Sequence, residues 1–182
     1  MLPFRRPAPH AIEAEIPRLR RHARGLLRDA AAADDLVQDC LTKALAAWNQ
    51  RRDDGALRPW LFAILHNTWR NRLRREAIRP DAAMLDEDHP GPAVSGGQWE
   101  KLELQDLQNA LDMLAPEHRS LLLLIGVEGL SYEEAARAQG VPLGTVMSRL
   151  TRARERLRIL MAGESGADPN RPRLRPGLKR VK

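Results

Sequence analysis

The chain of 182 residues holds a single cysteine, Cys40, and only 4% aromatic residues. One cysteine excludes a disulfide framework and a thiolate metal site. Within an expected helix it reads as a small buried hydrophobe. Scarce aromatics beside abundant Ala, Leu, Arg and Glu argue for helices rather than sheet. No apolar run approaches the ~20 residues that span a bilayer, and the opening MLPFRRPAPH lacks a signal-peptide core. The recognised signatures of chemistry are missing too. His10, His22, His66, His89 and His118 do not fall at metal-ligand spacing, and there is no P-loop, GxGxxG, HExxH or GxSxG. Asp34/Asp35 and Asp53/Asp54 are adjacent pairs for which capping and turn roles suffice. The expectation is a cytoplasmic protein that is not an enzyme and has no catalytic residues, metal or cofactor.

What is present is charge and helical pattern. Net charge is +6 and the isoelectric point about 10.4, which points to a polyanionic partner. A membrane surface would satisfy the same numbers. A hydrophobic share of 43% is enough for a packed core.

The pattern is clearest over Leu130–Leu160 (LSYEEAARAQGVPLGTVMSRLTRARERLRIL). Ser131 and Glu134 form a capping box. Ala135, Ala136 and Ala138 favour helix and let a neighbour pack close. Gly140 stops the first helix and Pro142 suits the start of the second. Short helix, glycine turn and longer basic helix make the helix-turn-helix pattern. In the second helix Val146, Leu150, Ala153, Leu157 and Leu160 form one apolar stripe. Thr145, Ser148, Arg149, Arg152 and Arg156 fall opposite, and Arg154 and Arg158 flank the stripe. Such donors can reach phosphates and base edges in a major groove.

Residues 1–10, with three prolines and two arginines, are expected to be loosely ordered. Ile12, Ile16, Leu19, Ala23 and Leu26 then keep helical spacing, and Pro17 either starts or bends that helix. Asp34 is a plausible N-cap for Asp35–Trp48, with Val37, Leu41, Ala44, Leu45 and Trp48 inward and Asp35, Gln38, Asp39 and Thr42 outward. QRRDDGA (50–56) is a loop. Leu57–Arg75 is a strong helix, apolar first (Trp60, Leu61, Phe62, Ile64, Leu65) and then basic (Arg70, Arg72, Arg74, Arg75), with Asn67 and Trp69 among the charges. Two readings of that run stay open: compensation of the helix dipole, or a track for a single nucleic-acid strand with Trp69 as a stacking ring. Arg79–Gln98, rich in Pro and Gly and acidic, reads as a flexible linker. Trp99–Leu114 and Glu117–Val127 are helical, and 162–182 is a basic tail too poor in apolar residues to fold. The fold class expected is all-α: two small helical domains, 11–78 and 99–161, joined by the linker.

Two segments taken together resemble a known family. DLVQDCLTKALAAW followed by LRPWLFAILHNTWRNRLRR is similar to region two of the extracytoplasmic-function sigma factors, and LAPEHRSLLLLIGVEGLSYEEAARAQGVPLGTVMSRLTRARERLR to their region four. The order is right and no region three fits between. The wording of LSYEEAA and of the DLVQD–LR-WLF-IL-NT run resembles the general-stress branch of alphaproteobacteria. The resemblance implies docking on core RNA polymerase through Asp35, Leu36, Gln38 and Asp39. It implies reading of a melted −10 strand by the loop about Gln50–Arg58 and by Asn67, with Arg70, Arg72, Arg74 and Arg75 along the backbone. It implies reading of the −35 duplex by Thr145, Ser148, Arg149, Arg152 and Arg154, the last through phosphate or packing. Arg156 shares their face, and an anti-sigma factor is the implied inhibitor. Met147 stands where many family members carry Lys or Arg, Trp69 is larger than usual, and the basic tail has no family counterpart. The competing expectations are a stand-alone helix-turn-helix regulator, binding a palindrome as a homodimer, and a decoy that binds polymerase or an anti-sigma factor without reading a promoter.

Overall fold

The computed structural model describes residues 9–27, 29–50, 57–78 and 98–164, and these contain helices and connecting turns. The first helices are α1 (Pro9–Glu13) and α2 (Ile16–Leu26). Pro17 lies in the first turn of α2, where its missing N–H is not needed. The pattern from Ile12 therefore breaks at Ala14–Glu15 and restarts, and helix already begins inside the stretch expected to be loose.

The third helix, α3 (Ala30–Ala46), starts earlier than expected. Asp29 is its cap, with Oδ1 accepting from the Ala31 N–H at 2.8 Å. The run of four alanines extends the helix back past Asp34 at almost no entropic cost. Asp34 instead faces Arg20 at 3.4 Å and Arg24 at 3.9 Å. Leu45, expected to be buried, is 59% exposed. A 3-10 turn, Trp48–Gln50, follows. Next comes α4 (Leu57–Ile78) with Pro59 in its first turn. Arg58 Nε donates to Glu15 Oε2 at 3.0 Å and ties the start of α4 to the start of α2.

In the C-terminal half, α5 (Gln98–Asp112) leads to α6 (Pro116–Leu122). The apolar run beyond Leu122 is not a plain α-helix as expected. Leu123–Val127 forms a π turn, closed by the Glu128 N–H on the Leu123 carbonyl at 3.0 Å. Its wider spacing lets consecutive residues Leu123 and Leu124 both enter the core. The capping box opens α7 (Tyr132–Gln139): Ser131 Oγ accepts from the Glu134 N–H and Glu134 Oε2 from the Ser131 N–H. Gly140, at φ 65°, ends it in the left-handed conformation that favours glycine. The last helix is α8 (Leu143–Glu164).

Both expected helical units are present, and they share a core. Leu19, Leu36, Cys40, Leu61, Phe62, Leu65 and Trp69 of α2–α4 cluster with Leu123, Leu124, Leu130 and Ala138 of the C-terminal half. A smaller cluster joins Leu121, Ala135 and Ala136 to Val146 and Leu150 of α8. Each large side chain so buried contributes roughly 1.5–3 kcal/mol. The linker segment 79–97 and the two ends, where the loose N-terminus and the basic tail were expected, lie outside the described residues apart from the helical residues at their margins.

Candidate nucleic-acid interface

The second helix of the helix-turn-helix, α8, has one buried side, with Val146, Leu150 and Ala153 at most 2% exposed. Ser148, Arg152, Arg154 and Arg156 are exposed, while Thr145 and Arg149 are half-buried. Ser148 Oγ donates back to the Thr145 carbonyl at 3.1 Å, so its oxygen is left to accept. Arg158 forks onto Glu155 at 2.7 and 3.1 Å. Its charge is answered within the helix, whereas Arg152, Arg154 and Arg156 meet no carboxylate among the described residues. Arg152 and Arg156 lie one turn apart on one side of this helix, a spacing that fits a duplex groove and its phosphates, while Arg154 falls on the other flank of the buried stripe. Arg154 is exposed, so it does not pack into the buried stripe.

In α4 the expected strand-binding residues divide. Asn67, Arg74 and Arg75 are exposed, and Arg70 is half-buried. Arg72 is a tether: its Nε donates to Glu76 at 2.9 Å and its Nη1 to the Ala32 carbonyl of α3 at 3.4 Å. Trp69 is 2% exposed, inside the shared core, with its ring centroid 5.5 Å from that of His66. In this conformation it cannot stack on a base; its size serves packing. Most of the loop about Gln50–Arg58 lies outside the described residues.

On α3, Asp35, Gln38 and Asp39 are exposed as expected, whereas Leu36 is buried at 2%. Leu36 nevertheless lines the floor of the same groove as the polar three. The three polar residues line a groove of about 430 Å³ with Lys43, and the facing wall is Thr68, Asn71, Arg72 and Arg75 of α4. Lys43 Nζ donates to Thr68 Oγ1 at 3.1 Å across it. The groove thus brings the acidic α3 row and the basic end of α4 onto one surface. Lys43 and Asn71 escaped the sequence reading. The signal was there in spacing, since each lies four residues beyond a named residue, Asp39 and Asn67, on the same helix face.

Two histidines are buried, His22 of α2 and His66 of α4. Burial, with Arg70 and Arg149 nearby, lowers His66 from 6.5 to about 4. Burial, with His66 and Arg21 nearby, lowers His22 to about 3. Both rings are neutral at pH 7 and act as core residues, not acid–base groups. Burial pushes the Cys40 thiol up to about 12, so it is no thiolate nucleophile. Among the described residues no group of His, Cys, Asp and Glu is placed to hold a metal, and no helix is long and apolar enough to cross a membrane.

Known proteins place these features in a family. Residues 12–66 match the model of the sigma2 domain of PhyR, and 104–157 match sigma-70 region 4. The ECF RNA polymerase sigma factor EcfG of Rhodopseudomonas palustris is 38% identical over 160 residues, 86% of either chain. The sigma factor RpoE of Bartonella quintana, solved in complex with the anti-sigma factor NepR, superposes with a TM-score of 0.73 at 37% identity, over 85% of this chain and 96% of that one. The PhyRSL chain from Sphingomonas sp. Fr1, solved with NepR, shares the fold at 20% identity and a TM-score of 0.62, over 95% of this chain and 96% of that one.

Proposed function

The chain belongs to the extracytoplasmic-function (ECF) RNA polymerase sigma factors, and from that premise we propose how its surfaces divide the work. Asp35, Gln38 and Asp39 of α3 dock on core polymerase. Asn67, Arg70, Arg74 and Arg75 follow the melted −10 strand, with Arg72 holding α4 against α3. Thr145, Ser148, Arg149, Arg152, Arg154 and Arg156 of α8 read the −35 duplex. The observation that carries the division is the placement of arginine: at the end of one helix and along the side of another. A single strand leaving a duplex needs a short basic track, and a groove needs a long face. Either contact alone is modest. Polymerase holding both halves raises the effective concentration of the second contact once the first is made. The protein acts by binding rather than catalysis, in the cytoplasm where polymerase works, and an anti-sigma factor of the NepR kind restrains it, as with its RpoE relative. The general-stress branch fits the likeness to EcfG.

Run-off transcription with sigma-free core polymerase and genomic fragments tests this reading. Transcripts starting downstream of a shared two-part motif are expected. No transcript and no co-sedimentation with core would overturn it. One observation favours a second reading: the N-terminal match is to the sigma2 domain of PhyR, and a PhyR from Bartonella quintana solved with NepR is described as an anti-anti-sigma factor. A decoy of that kind would capture the anti-sigma factor and start no transcript in the same assay.

A further inference from the structure

The open face of α8 is not uniformly polar. Met147 is 51% exposed, and Leu143, one turn before it, is 40% exposed. Both stand in the first two turns of the helix, the part of a recognition helix that meets base edges. The division of work proposed above gives neither of them a task.

The surroundings of Met147 are specific. Ser148 is its neighbour in the chain, and Thr151 lies one turn further along the same side. The Thr151 hydroxyl donates to the Met147 carbonyl at 3.0 Å, and the Ser148 hydroxyl donates to the Thr145 carbonyl at 3.1 Å. Each has given its one hydrogen to the helix and keeps an oxygen that can only accept. Gly144, one turn before Ser148, has nothing within 4 Å of where a Cβ would stand. This turn of α8 is therefore open to a close approach.

Acceptor oxygens beside an exposed thioether match one kind of base pair. In the major groove an amine is offered by adenine and by cytosine, but a methyl only by thymine. An A·T pair alone presents both. Methionine has no charge for a phosphate, and its flexible, polarizable side chain adapts to a small apolar group. A protein partner fits less well. The open parts of two side chains fall far short of the ~800 Å² per partner of a stable protein contact, yet they are ample for one methyl.

We propose that Met147 is a specificity-determining residue. Its thioether packs on a thymine methyl in the major groove of the −35 element, while the Ser148 and Thr151 oxygens face the amine of the paired adenine. The inference rests on the reading of α8 as the −35 helix and names the base pair selected at this point of it.

The test uses the full chain bound to core polymerase. The probe is the duplex from which run-off transcription starts, remade with each thymine of its upstream element replaced in turn by deoxyuridine. That change removes a methyl and keeps every hydrogen-bonding edge. At one position the wild type is expected to lose affinity about fourfold, the worth of one small apolar group buried. Met147→Ala should bind the thymine and deoxyuridine forms equally. Met147→Lys should lose the preference too, and its salt dependence should steepen by about one phosphate contact. An upstream element without an A·T pair would overturn the proposal. So would indifference of the wild type to every deoxyuridine, or a thymine preference that survives in Met147→Ala. Weaker core binding by Met147→Ala without DNA would overturn it as well, by making the strip a polymerase contact. In each of these cases a loss by Arg152→Ala on the same duplex leaves the −35 reading standing. If no form bound any duplex with core, that reading would fall and the proposal with it.

Discussion

Helices α4 and α8 are each 22 residues long and both are rich in arginine, yet they are built on opposite plans. α4 separates its chemistry along its axis. Its first half is apolar nearly all round, which demands partners on several sides, and α3 and α7 supply them. Its charges gather at the far end. α8 separates its chemistry around its axis, with a single buried stripe and a polar face over most of its length. The first plan makes a central pillar with a basic tip; the second makes a supported rod with a reading face. The same residue type is therefore structural in one place and available in another. Arg72 is tied to Glu76 and Ala32, while Arg152 is exposed and meets no carboxylate among the described residues.

The strongest way to break the comparison lies beside α4. Asp39→Arg, on an exposed position of the groove that α4 helps to line, is expected to abolish co-purification with core polymerase while far-UV helicity stays unchanged. Retained co-purification would move the docking surface elsewhere. Next comes the pillar itself. Phe62→Ala should cost about 3–5 kcal/mol and, because the core is shared, lower one common unfolding transition. A C-terminal transition whose midpoint does not move would show the halves melting separately.

Arg149→Ala and Arg152→Ala on the rod should each weaken binding to a −35 duplex by roughly 1–3 kcal/mol. Losses of equal size on scrambled duplex would assign both side chains to phosphate alone.

Acid probes the space between the two helices. His66 faces Ser120, Arg70, Arg149 and His22, and His22 faces Phe62, Arg21 and His66. No carboxylate is among these neighbours to welcome a proton. The folded rings are held below their ordinary value of about 6.5. The stability they lend is therefore complete above that pH and fades as the pH falls towards about 4 for His66 and about 3 for His22. At pH 5 each should have given up of order 1–2 kcal/mol. Denaturant midpoints equal at pH 7 and pH 5 would refute this. The smallest effect belongs to the capping box: Ser131→Ala should cost about 1 kcal/mol, read as a fall in thermal midpoint, and no fall would mean that the burial of α7 alone holds the helix.

Local rules carried much of the architecture. The 3.6-residue pattern placed the stripe Val146–Leu150–Ala153, and the capping box and Gly140 bounded α7 to the residue, because those signals act within one turn of chain. The exposed row Asp35, Gln38 and Asp39 was legible for the same reason. Errors arose where several elements compete for one side chain. Leu45 was set among buried residues and is exposed, because the face of a helix that counts as inside depends on where its neighbours lie. Trp69 read as a stacking ring because a tryptophan among arginines has no local feature that separates a base platform from a core residue. Asp34 looked like a cap and proved to be an ion-pair partner, since Asp29 upstream offered the backbone N–H groups an earlier carboxylate.

The amino-acid order alone determined the helical periodicities, the helix-turn-helix and the two clusters of positive charge, since all three depend on spacings of a few residues. Only the tertiary structure decided that the halves share one core, that Arg21 meets Glu128, 107 positions further along the chain, and that Ala138 enters that core and Gln139 meets Ser120 rather than water. Contacts between residues so far apart depend on which surfaces fit once helices exist, and no short-range pattern carries that information.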